Sequence, residues 1–349
     1  MSATFKFGVI TDIQHADVDD GKSFDGTETR RYRHALRVAE RAFSTWHAAG
    51  DVRLVLQLGD IIDGKTSTKK AAREALKRVI HAWERPWSEQ EPEGSDGASS
   101  ISGEEPDDYF TVVSCYGNHC SYVLPRSVVL NALHVPPRGH APQTPELHPA
   151  YFSYPLCPRW RLVVLDSYDI SVLAWPPDSA RSKTALELLR QHNSNDDVNS
   201  PVGLVGLDER WCAFNGAVGS TQLRWLAETL QSATAEGENV IIATHVPFHP
   251  DCTKPICLLW NYDDVLAIVH EHGAACVRAC FYGHDHFGGQ SVDERGIAHH
   301  VFEGALIADV DQLCHADVTL SDSSITIAGS GLAESRTITW DADRTGGQE

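Results

Sequence analysis

The chain has 349 residues, of which 42% are hydrophobic and 22% charged, and its formal net charge is −19 at pH 7. This length and composition are typical of a globular protein that can bury a large core as one big α/β domain, or as two domains. Because the chain is strongly acidic and has no large Lys/Arg cluster, we expect neither nucleic acid nor an anionic membrane as a partner. The sequence contains no run of roughly 18 apolar residues, the length that would predict a membrane span, and its N-terminus does not resemble a signal peptide.

The hydrophobic pattern of the first third predicts alternating strands and helices. Strands are predicted at 5–10, 52–58 and 109–115, and amphipathic helices at 29–46 and 69–83. Residues 88–108 are rich in Glu, Ser, Gly, Asp and Pro, a composition that predicts a disordered insertion.

The second part of the chain repeats this alternation less regularly. Strands are predicted at 161–165, 240–243, 277–282, 301–306, 316–320 and 324–328, and helices at 220–230 and 262–270. Residues 167–219 are polar and interrupted by Pro and Gly, and we interpret them as an insertion that covers the functional site. Residues 333–349 lack periodicity and are predicted to form an irregular C-terminal tail, which leaves 1–332 as a single domain.

Five short polar blocks each follow an apolar run and end in residue types that bind metal ions. They are Asp12-x-Gln14, Gly59-Asp60 with Asp63-Gly64, Gly117-Asn118-His119, Thr244-His245 and Gly283-His284-x-His286. The carboxyl ends of parallel strands meet at one edge of a sheet, so loops of this kind can converge on one point. Their carboxylates, carboxamides and imidazoles are more donors than one ordinary ion needs. The pattern therefore predicts a two-metal hydrolytic centre.

Each block taken alone also has an ordinary structural explanation. An Asp after a strand usually caps a helix or forms a turn, and a single loop histidine is more often hydrogen-bonded than metal-bound. The order of all five blocks, each after an apolar run, favours the metal site. Within it, the Asp60 carboxylate could bridge two ions. His119, the neighbour of Asn118, could donate a proton to a leaving phosphate oxygen or stabilise charge in the transition state.

The order and content of these blocks resemble the calcineurin-like metallophosphoesterase family. Gln14 departs from that family's usual histidine, and this departure resembles the branch of manganese-dependent ADP-ribose/CDP-alcohol diphosphatases. Several flanking segments are similar to the same branch: Phe7-Gly8-Val9-Ile10, Arg31-Tyr32-Arg33-His34, Leu165-Asp166-Ser167-Tyr168-Asp169, Phe214-Asn215-Gly216 and Cys257-Leu258-Leu259-Trp260-Asn261-Tyr262. Cys120 and Ser121 depart from the acidic and aromatic residues that usually follow Gly-Asn-His.

The resemblance implies the α/β fold of the metallo-dependent phosphatases, a four-layer αββα sandwich of two mixed sheets with a dinuclear site at one edge. It also implies the roles of the site residues. Asp12, Gln14, Asp60 and His286 would hold one ion, Asp60, Asn118, His245 and His284 would hold the other, and His119 would be the catalytic histidine.

The implied activity is hydrolysis of a pyrophosphate bond by a metal-bridging hydroxide. ADP-ribose would give AMP and ribose 5-phosphate, and CDP-alcohols such as CDP-choline would give CMP and a phosphoalcohol. The partners would then be small nucleotide-diphosphate substrates. Three alternatives stay open: a phosphomonoesterase or a cyclic-nucleotide phosphodiesterase on the same dinuclear site, or a catalytically inactive scaffold with this fold.

The Gln14 carboxamide is a less basic ligand than imidazole, which favours hard ions. We therefore expect two divalent cations, Mn²⁺ foremost, with Mg²⁺, Fe²⁺ and Zn²⁺ as alternatives. Substrate contacts are predicted at Phe24, Arg31, Cys257 and Asn261, and for each the alternative is a core or surface role. Arg30 and Arg33 could also meet phosphate or pair with carboxylates. Nine irregularly spaced cysteines predict no disulfide framework, and we expect a cytoplasmic monomer.

Overall fold

The computed structural model describes residues 4–23, 26–88, 110–143 and 149–341. The strands in these ranges are β1 (Phe5–Ile10), β2 (Gly21–Lys22), β3 (Thr29–Arg30), β4 (Leu54–Gln57), β5 (Thr111–Ser114), β6 (Phe152–Cys157), β7 (Trp160–Val164), β8 (Asn239–Thr244), β9 (Val277–Tyr282), β10 (Gly289–Val292), β11 (Ala298–Val301), β12 (Cys314–Leu320), β13 (Ser324–Gly331) and β14 (Arg336–Thr339). The α-helices are α1 (Tyr32–Ala49), α2 (Lys69–Ser88), α3 (Asn118–Ser121), α4 (Arg126–Ala132), α5 (Ala180–His192), α6 (Ser220–Ala235) and α7 (Tyr262–His272).

Two mixed six-stranded sheets form the centre of the fold. The first has the order β14-β13-β12-β1-β4-β5 and the second the order β10-β11-β9-β8-β7-β6. Strands β1, β4 and β5 are parallel in the first sheet, and β7, β8, β9 and β11 are parallel in the second. Helix α1 packs with α2 beside the first sheet and α6 packs with α7 beside the second. The expected four-layer αββα sandwich of two mixed sheets is therefore confirmed.

Strand register brings the carboxyl ends of the parallel strands to the same level. In the first sheet Ile10 pairs with Gln57, and Gln57 pairs with Ser114. In the second sheet Thr244 pairs with Tyr282. Each of these residues is the last of its strand. The loops that follow therefore start together at one edge of the sandwich.

Helix α1 shows how the sequence pattern produces this packing. Its buried side chains recur at spacings of three and four residues and include Val38, Ala42 and Trp46. The helix ends at Gly50, whose left-handed backbone lets its N–H bond to the carbonyl of Trp46. The Trp46 indole packs against the backbone of Gly8, where a Cβ atom would lie 2.5 Å from Cε2 of Trp46. A side chain at position 8 would therefore push α1 off β1.

The strands predicted at 5–10 and 277–282 have the same bounds in the structure, but two other predictions are wrong. The strand predicted at 301–306 is instead the last residue of β11 followed by a 3-10 helix at Ala305–Ile307. The predicted irregular tail at 333–349 contains β14, which pairs with β13 and buries Ile338. The alternating Arg-Thr-Ile-Thr of β14 is rich in β-branched residues, the type that favours strands.

The two predicted insertions differ in how much of them the structure describes. Ser88 is the last residue of α2, and 89–108 lie outside the described residues. Residues 167–219 contain α5 and a 3-10 helix at Gly206–Arg210, and Trp211 packs with Trp260 in a small apolar cluster of its own.

Among the described helices, none combines the length and the apolar character needed to cross a bilayer.

Candidate metal centre

The loops after five parallel strands bring the predicted ligands together at the shared edge. Asp12 and Gln14 follow β1, Asp60 follows β4, Asn118 begins α3 after β5, His245 follows β8, and His284 and His286 follow β9. All of them are buried except His284, which is half-buried. The structure thus brings all seven predicted ligand residues to one edge of the sandwich.

Two groups of donor atoms meet at Asp60. Atoms of Asp12, Asp60 and His245 lie within 4.8 Å of one another. On one side, Nε2 of His245 lies 3.3 Å from Oδ2 of Asp60 and 3.2 Å from Oδ1 of Asn118. On the other side, Nε2 of Gln14 lies 3.3 Å from the same Asp60 oxygen and 3.2 Å from Oδ1 of Asp12. Asp60 is therefore placed between two donor groups, as a bridging carboxylate would be.

The Gln14 carboxamide tests whether these residues fit a cation. Its Oε1 is buried and has no hydrogen-bond partner among the described residues. A buried amide oxygen without a partner costs free energy, so such an oxygen normally faces a donor or a cation. The carboxamide lies against Asp12, Asp60 and Nε2 of His286, and a rotation of this group would direct its oxygen into the cluster. The oxygen-rich donor set fits a hard divalent cation.

The backbone at the ligands adopts strained conformations. Asp12, Gln14, Asp60 and His284 have φ angles of 49°, 42°, 55° and 70°. Such left-handed backbone at residues other than glycine costs of order 1–3 kcal/mol each and concentrates at functional sites. Gly59 precedes Asp60 with a φ of 109°, and a Cβ atom there would collide with the His245 ring. Glycine is therefore required by geometry at position 59.

Outer hydrogen bonds orient the three ligand imidazoles. Nδ1 of His245 lies 2.8 Å from the Leu58 carbonyl oxygen, and Nδ1 of His286 lies 2.7 Å from Oε1 of Glu28. These acceptors keep a proton on Nδ1, so Nε2 of each ring is the nitrogen that faces the cluster. Nε2 of His284 instead lies 2.8 Å from Oδ1 of Asn215.

Charges within the cluster shift the pKa values of its members. Burial lowers the pKa of His286, but the charge of Asp12 and hydrogen bonds to Asp12 and Glu28 outweigh it and raise the pKa to about 10. Burial raises the pKa of Asp12, and attraction to His286 more than offsets this and holds the pKa well below its usual range. Burial, with repulsion from His245, lowers the pKa of His284. The Asp12 carboxylate thus stays charged and attracts positive charge into the site.

His119 lies at the edge of the cluster with a partially exposed side chain. Its backbone N–H donates to Oδ1 of Asp60 at 2.8 Å, and its Nδ1 lies 2.8 Å from Oδ2 of Asp63. The unusual residues that follow it point elsewhere: Cys120 is buried and its sulfur accepts from the N–H of Ile61. Ser121 donates to the hydroxyl of Tyr116. The acidic partner of the His119 ring is therefore Asp63, which the sequence motif contains.

The predicted substrate residues have varied surroundings. Cys257 is half-buried, and burial with the charge of Asp285 raises the pKa of its thiol. It follows Ile256, whose carbonyl accepts a hydrogen bond from Asn215, the partner of His284. Arg31 donates to the Ile307 carbonyl and pairs with Asp309.

Asn261 and Phe24 do not meet the cluster in the described contacts. Asn261 bonds to the backbone N–H and carbonyl of Val218, which ties it to the end of the 167–219 segment. Phe24 lies outside the described residues.

Three residues near the cluster, Glu28, Phe214 and Asn215, were not predicted as site residues from the sequence, and Arg30 was one of several arginines that could meet phosphate. Arg30 pairs with Glu28 at 3.1 Å, and the Asp63 charge helps raise its pKa against the effect of burial. The Phe214 ring lies 6.0 Å from the His284 ring, and Asn215 bonds to His284. Two signals in the sequence pointed to these residues: Arg30 is adjacent to Arg31, and Phe214 and Asn215 belong to the Phe-Asn-Gly segment. Neither signal specifies which side chain faces the cluster.

Comparison with known proteins gives consistent matches over nearly the whole chain. The family model for calcineurin-like phosphoesterases matches residues 5–288. A relative from Oryza sativa subsp. japonica, named manganese-dependent ADP-ribose/CDP-alcohol diphosphatase, is 38% identical over 326 residues, which cover 93% of this chain and 91% of that protein. A Homo sapiens relative with the same name is 33% identical and covers 97% of this chain and 94% of its own length.

A solved structure is similar in three dimensions as well. The crystal structure of a dimetal phosphatase from Danio rerio matches with a TM-score of 0.83 and 31% sequence identity. The match covers 97% of this chain and 99% of the other. The fold and the length of the chain are thus shared with a phosphatase described as binding two metal ions.

Proposed function

The chain belongs to the calcineurin-like phosphoesterase family, and from this premise we propose that it is a manganese-dependent diphosphatase of ADP-ribose and CDP-alcohols. It would split ADP-ribose into AMP and ribose 5-phosphate, and CDP-choline into CMP and phosphocholine. The observation that carries the proposal is the carboxamide of Gln14 inside a carboxylate–imidazole cluster, with an oxygen that has no partner among the residues the structure describes. Relatives named for this activity cover more than nine-tenths of the chain, which supports it further.

The donor groups divide into two sets that share Asp60. Asp12, Gln14, Asp60 and His286 would hold one ion, and Asp60, Asn118, His245 and His284 would hold the other. When bound, two such cations supply a water activated for attack on phosphorus and neutralise charge on the phosphate oxygens. The mainly oxygen donor set, with Gln14 in place of an imidazole, fits Mn²⁺.

His119 is proposed as the catalytic histidine. Asp63 lies at Nδ1 of its ring, which leaves Nε2 as the nitrogen that can hold or donate a proton. The bond from the His119 N–H to Asp60 fixes the residue beside the cluster. From there the ring would give a proton to the departing phosphate oxygen or stabilise its charge.

Substrate binding is proposed for residues at the rim of the cluster. Arg30 pairs with Glu28, the partner of His286, and from there its positive charge would meet a phosphate group. Cys257 is retained as a contact to the rest of the nucleotide, because it follows Ile256, whose carbonyl is bonded to Asn215 beside His284. We do not extend the proposal to Arg31 or Asn261, whose described contacts lie elsewhere.

We also propose that the protein is a monomer that works in the cytoplasm. All nine cysteines are free thiols, and seven of them are buried. Such an arrangement suits a reducing compartment, because no disulfide is needed to hold the fold.

A panel of substrates tests the proposed activity. Purified protein is assayed with Mn²⁺ and with Mg²⁺ on ADP-ribose, CDP-choline, a cyclic nucleotide and p-nitrophenyl phosphate. The proposal expects Mn²⁺-dependent turnover of the first two. Turnover confined to the last two would favour a phosphodiesterase or phosphomonoesterase, and Mn²⁺ binding without any turnover would favour an inactive scaffold. Either result would overturn the proposal.

A further inference from the structure

The amide of Asn215 is fixed in one orientation by its own hydrogen bonds. Its Nδ2 lies 2.8 Å from the Arg210 carbonyl oxygen and 2.8 Å from that of Ile256. A carboxamide nitrogen carries two hydrogens, and both are used by these two acceptors. Asn215 is fully buried, so its remaining polar atom, Oδ1, has to find a donor inside the protein.

The donor that faces this oxygen is the His284 ring. Nε2 of His284 lies 2.8 Å from Oδ1 of Asn215. Because Oδ1 can only accept, Nε2 of His284 has to carry the hydrogen. A neutral imidazole holds one hydrogen, so Nδ1 then keeps the lone pair, and only a nitrogen with a lone pair can bind a cation. The backbone N–H of His284 donates to Oδ2 of Asp12 at 3.0 Å, which fixes the other end of the residue.

His284 is thus held in the opposite way to the other two imidazoles. His245 and His286 bond outward through Nδ1 and face the cluster with Nε2. Their acceptors are the carbonyl oxygen of Leu58, at the end of the first sheet, and the carboxylate of Glu28. The acceptor for His284 comes instead from the 167–219 segment, which joins β7 to α6.

We propose that Asn215 is a positioning residue for the metal centre, which holds His284 with its hydrogen on Nε2 and thereby directs Nδ1 to the cation. This rests on the proposed function only in requiring that cations bind to the cluster. The 167–219 segment then completes a ligand of the second ion as well as covering the site. The bond from Asn215 to the Ile256 carbonyl also links this ligand to the turn that carries Cys257.

Two substitutions at position 215 distinguish the hydrogen bond that Oδ1 accepts from the two hydrogen bonds that Nδ2 donates. Asn215→Ala removes all three hydrogen bonds, whereas Asn215→Asp loses both donors but keeps an acceptor for His284. We expect Asn215→Ala to weaken the binding of one of two Mn²⁺ ions by about 10- to 100-fold, the usual effect of losing such a partner. We expect Asn215→Asp to retain both ions. Calorimetric titration of the full-length, metal-stripped protein with Mn²⁺ gives the two affinities.

A matched control is available in the same segment. Asn193 is also buried and donates to the carbonyl oxygens of Ser200 and Trp211, but it has no described contact with a ligand. Asn193→Ala should therefore leave both Mn²⁺ affinities unchanged. Equal weakening by Asn215→Ala and Asn215→Asp, or by Asn193→Ala, would show a purely structural role and overturn the proposal. So would unchanged binding in Asn215→Ala.

A second measurement shows directly which ring nitrogen of His284 carries the hydrogen. Long-range ¹H–¹⁵N spectra of histidine-labelled, Zn²⁺-loaded protein should show His284 with its hydrogen on Nε2, with the signal assigned through His284→Gln. A hydrogen on Nδ1 would overturn the proposal. The role of Asn215 and the proposed diphosphatase activity can be refuted independently. A protein that binds two Mn²⁺ ions but leaves ADP-ribose intact would refute only the proposed activity.

Discussion

Replacing Asp63 with Asn tests whether the partner of His119 contributes to catalysis. Oδ2 of Asp63 lies 2.8 Å from Nδ1 of His119, and the carboxylate is buried. Asn is nearly isosteric, and its oxygen can still accept from the N–H of Lys65, as Oδ1 of Asp63 does at 2.7 Å. The substitution therefore removes the negative charge beside the imidazole and leaves the loop in place. Asp63 is outside the proposed ligand set, so the metal content should not change.

The expected loss follows from the strength of this contact. Loss of the charged partner of a site histidine typically lowers activity by about 10- to 100-fold, and we expect a decrease in kcat of that size. The decrease should be smaller than that of His119→Ala, since the removal of a general acid costs roughly 10²- to 10⁴-fold. The assay is steady-state hydrolysis of ADP-ribose at saturating Mn²⁺, with bound metal measured on the same samples.

Asp293→Asn provides a matched control. Asp293 is equally buried and lies 2.8 Å from Nε2 of His270, but it belongs to the turn between β10 and β11 and has no described contact with the cluster. We expect Asp293→Asn to leave kcat unchanged. An Asp63→Asn enzyme with full kcat, or one that has lost its metal, would refute the reasoning about His119.

Three further changes have defined outcomes. Asp60→Ala removes the carboxylate shared by both donor groups, so Mn²⁺ binding and turnover should be lost. The circular dichroism spectrum should stay unchanged, and retained turnover would exclude a bridging role for Asp60. Glu28→Leu removes the acceptor at Nδ1 of His286 and should weaken Mn²⁺ binding by about 10- to 100-fold in a metal titration. An unchanged Mn²⁺ affinity would contradict the role of Glu28 in orienting His286. Burial lowers the pKa of His300 to about 3, and neither ring nitrogen has a partner in the part of the chain that the structure describes. The unfolded chain binds a proton at His300 near pH 6.5, whereas the folded chain binds it only at much lower pH. His300 therefore does not reduce the free energy of unfolding above pH 6.5, but it reduces this free energy increasingly as the pH falls below that value. In urea unfolding between pH 7 and pH 5, the free energy of unfolding of His300→Phe should decrease by about 2 kcal/mol less than that of the wild type, and an equal decrease would contradict this.

The convergence of the candidate ligands could be predicted because strand ends are visible in the sequence. Apolar runs such as Val277–Tyr282 define where β9 stops, and the Gly-His-x-His after it has to leave from that edge. Asp60 was identifiable from Gly59, whose backbone has to approach His245 closely. These features depend on local pattern and on the common direction of parallel strands.

The outer partners of the ligands could not be predicted in the same way. Glu28 and Asn215 meet their histidines across 258 and 69 residues of chain, and no local periodicity relates them. Arg31 was chosen for its position in sequence, yet the turn into α1 directs it to Ile307 while Arg30 lies beside Glu28. Which of two neighbouring arginines faces the site depends on packing. The same is true of β14, which is short and stabilised by its pairing with β13.

Product analysis of ADP-ribose hydrolysis tests the central claim most directly. The protein is loaded with Mn²⁺, its metal content is measured, and the reaction is followed by ³¹P NMR. We expect two bound ions per chain and equimolar AMP and ribose 5-phosphate, with no reaction after the metal is removed. Intact ADP-ribose in the presence of two bound Mn²⁺ ions would contradict it.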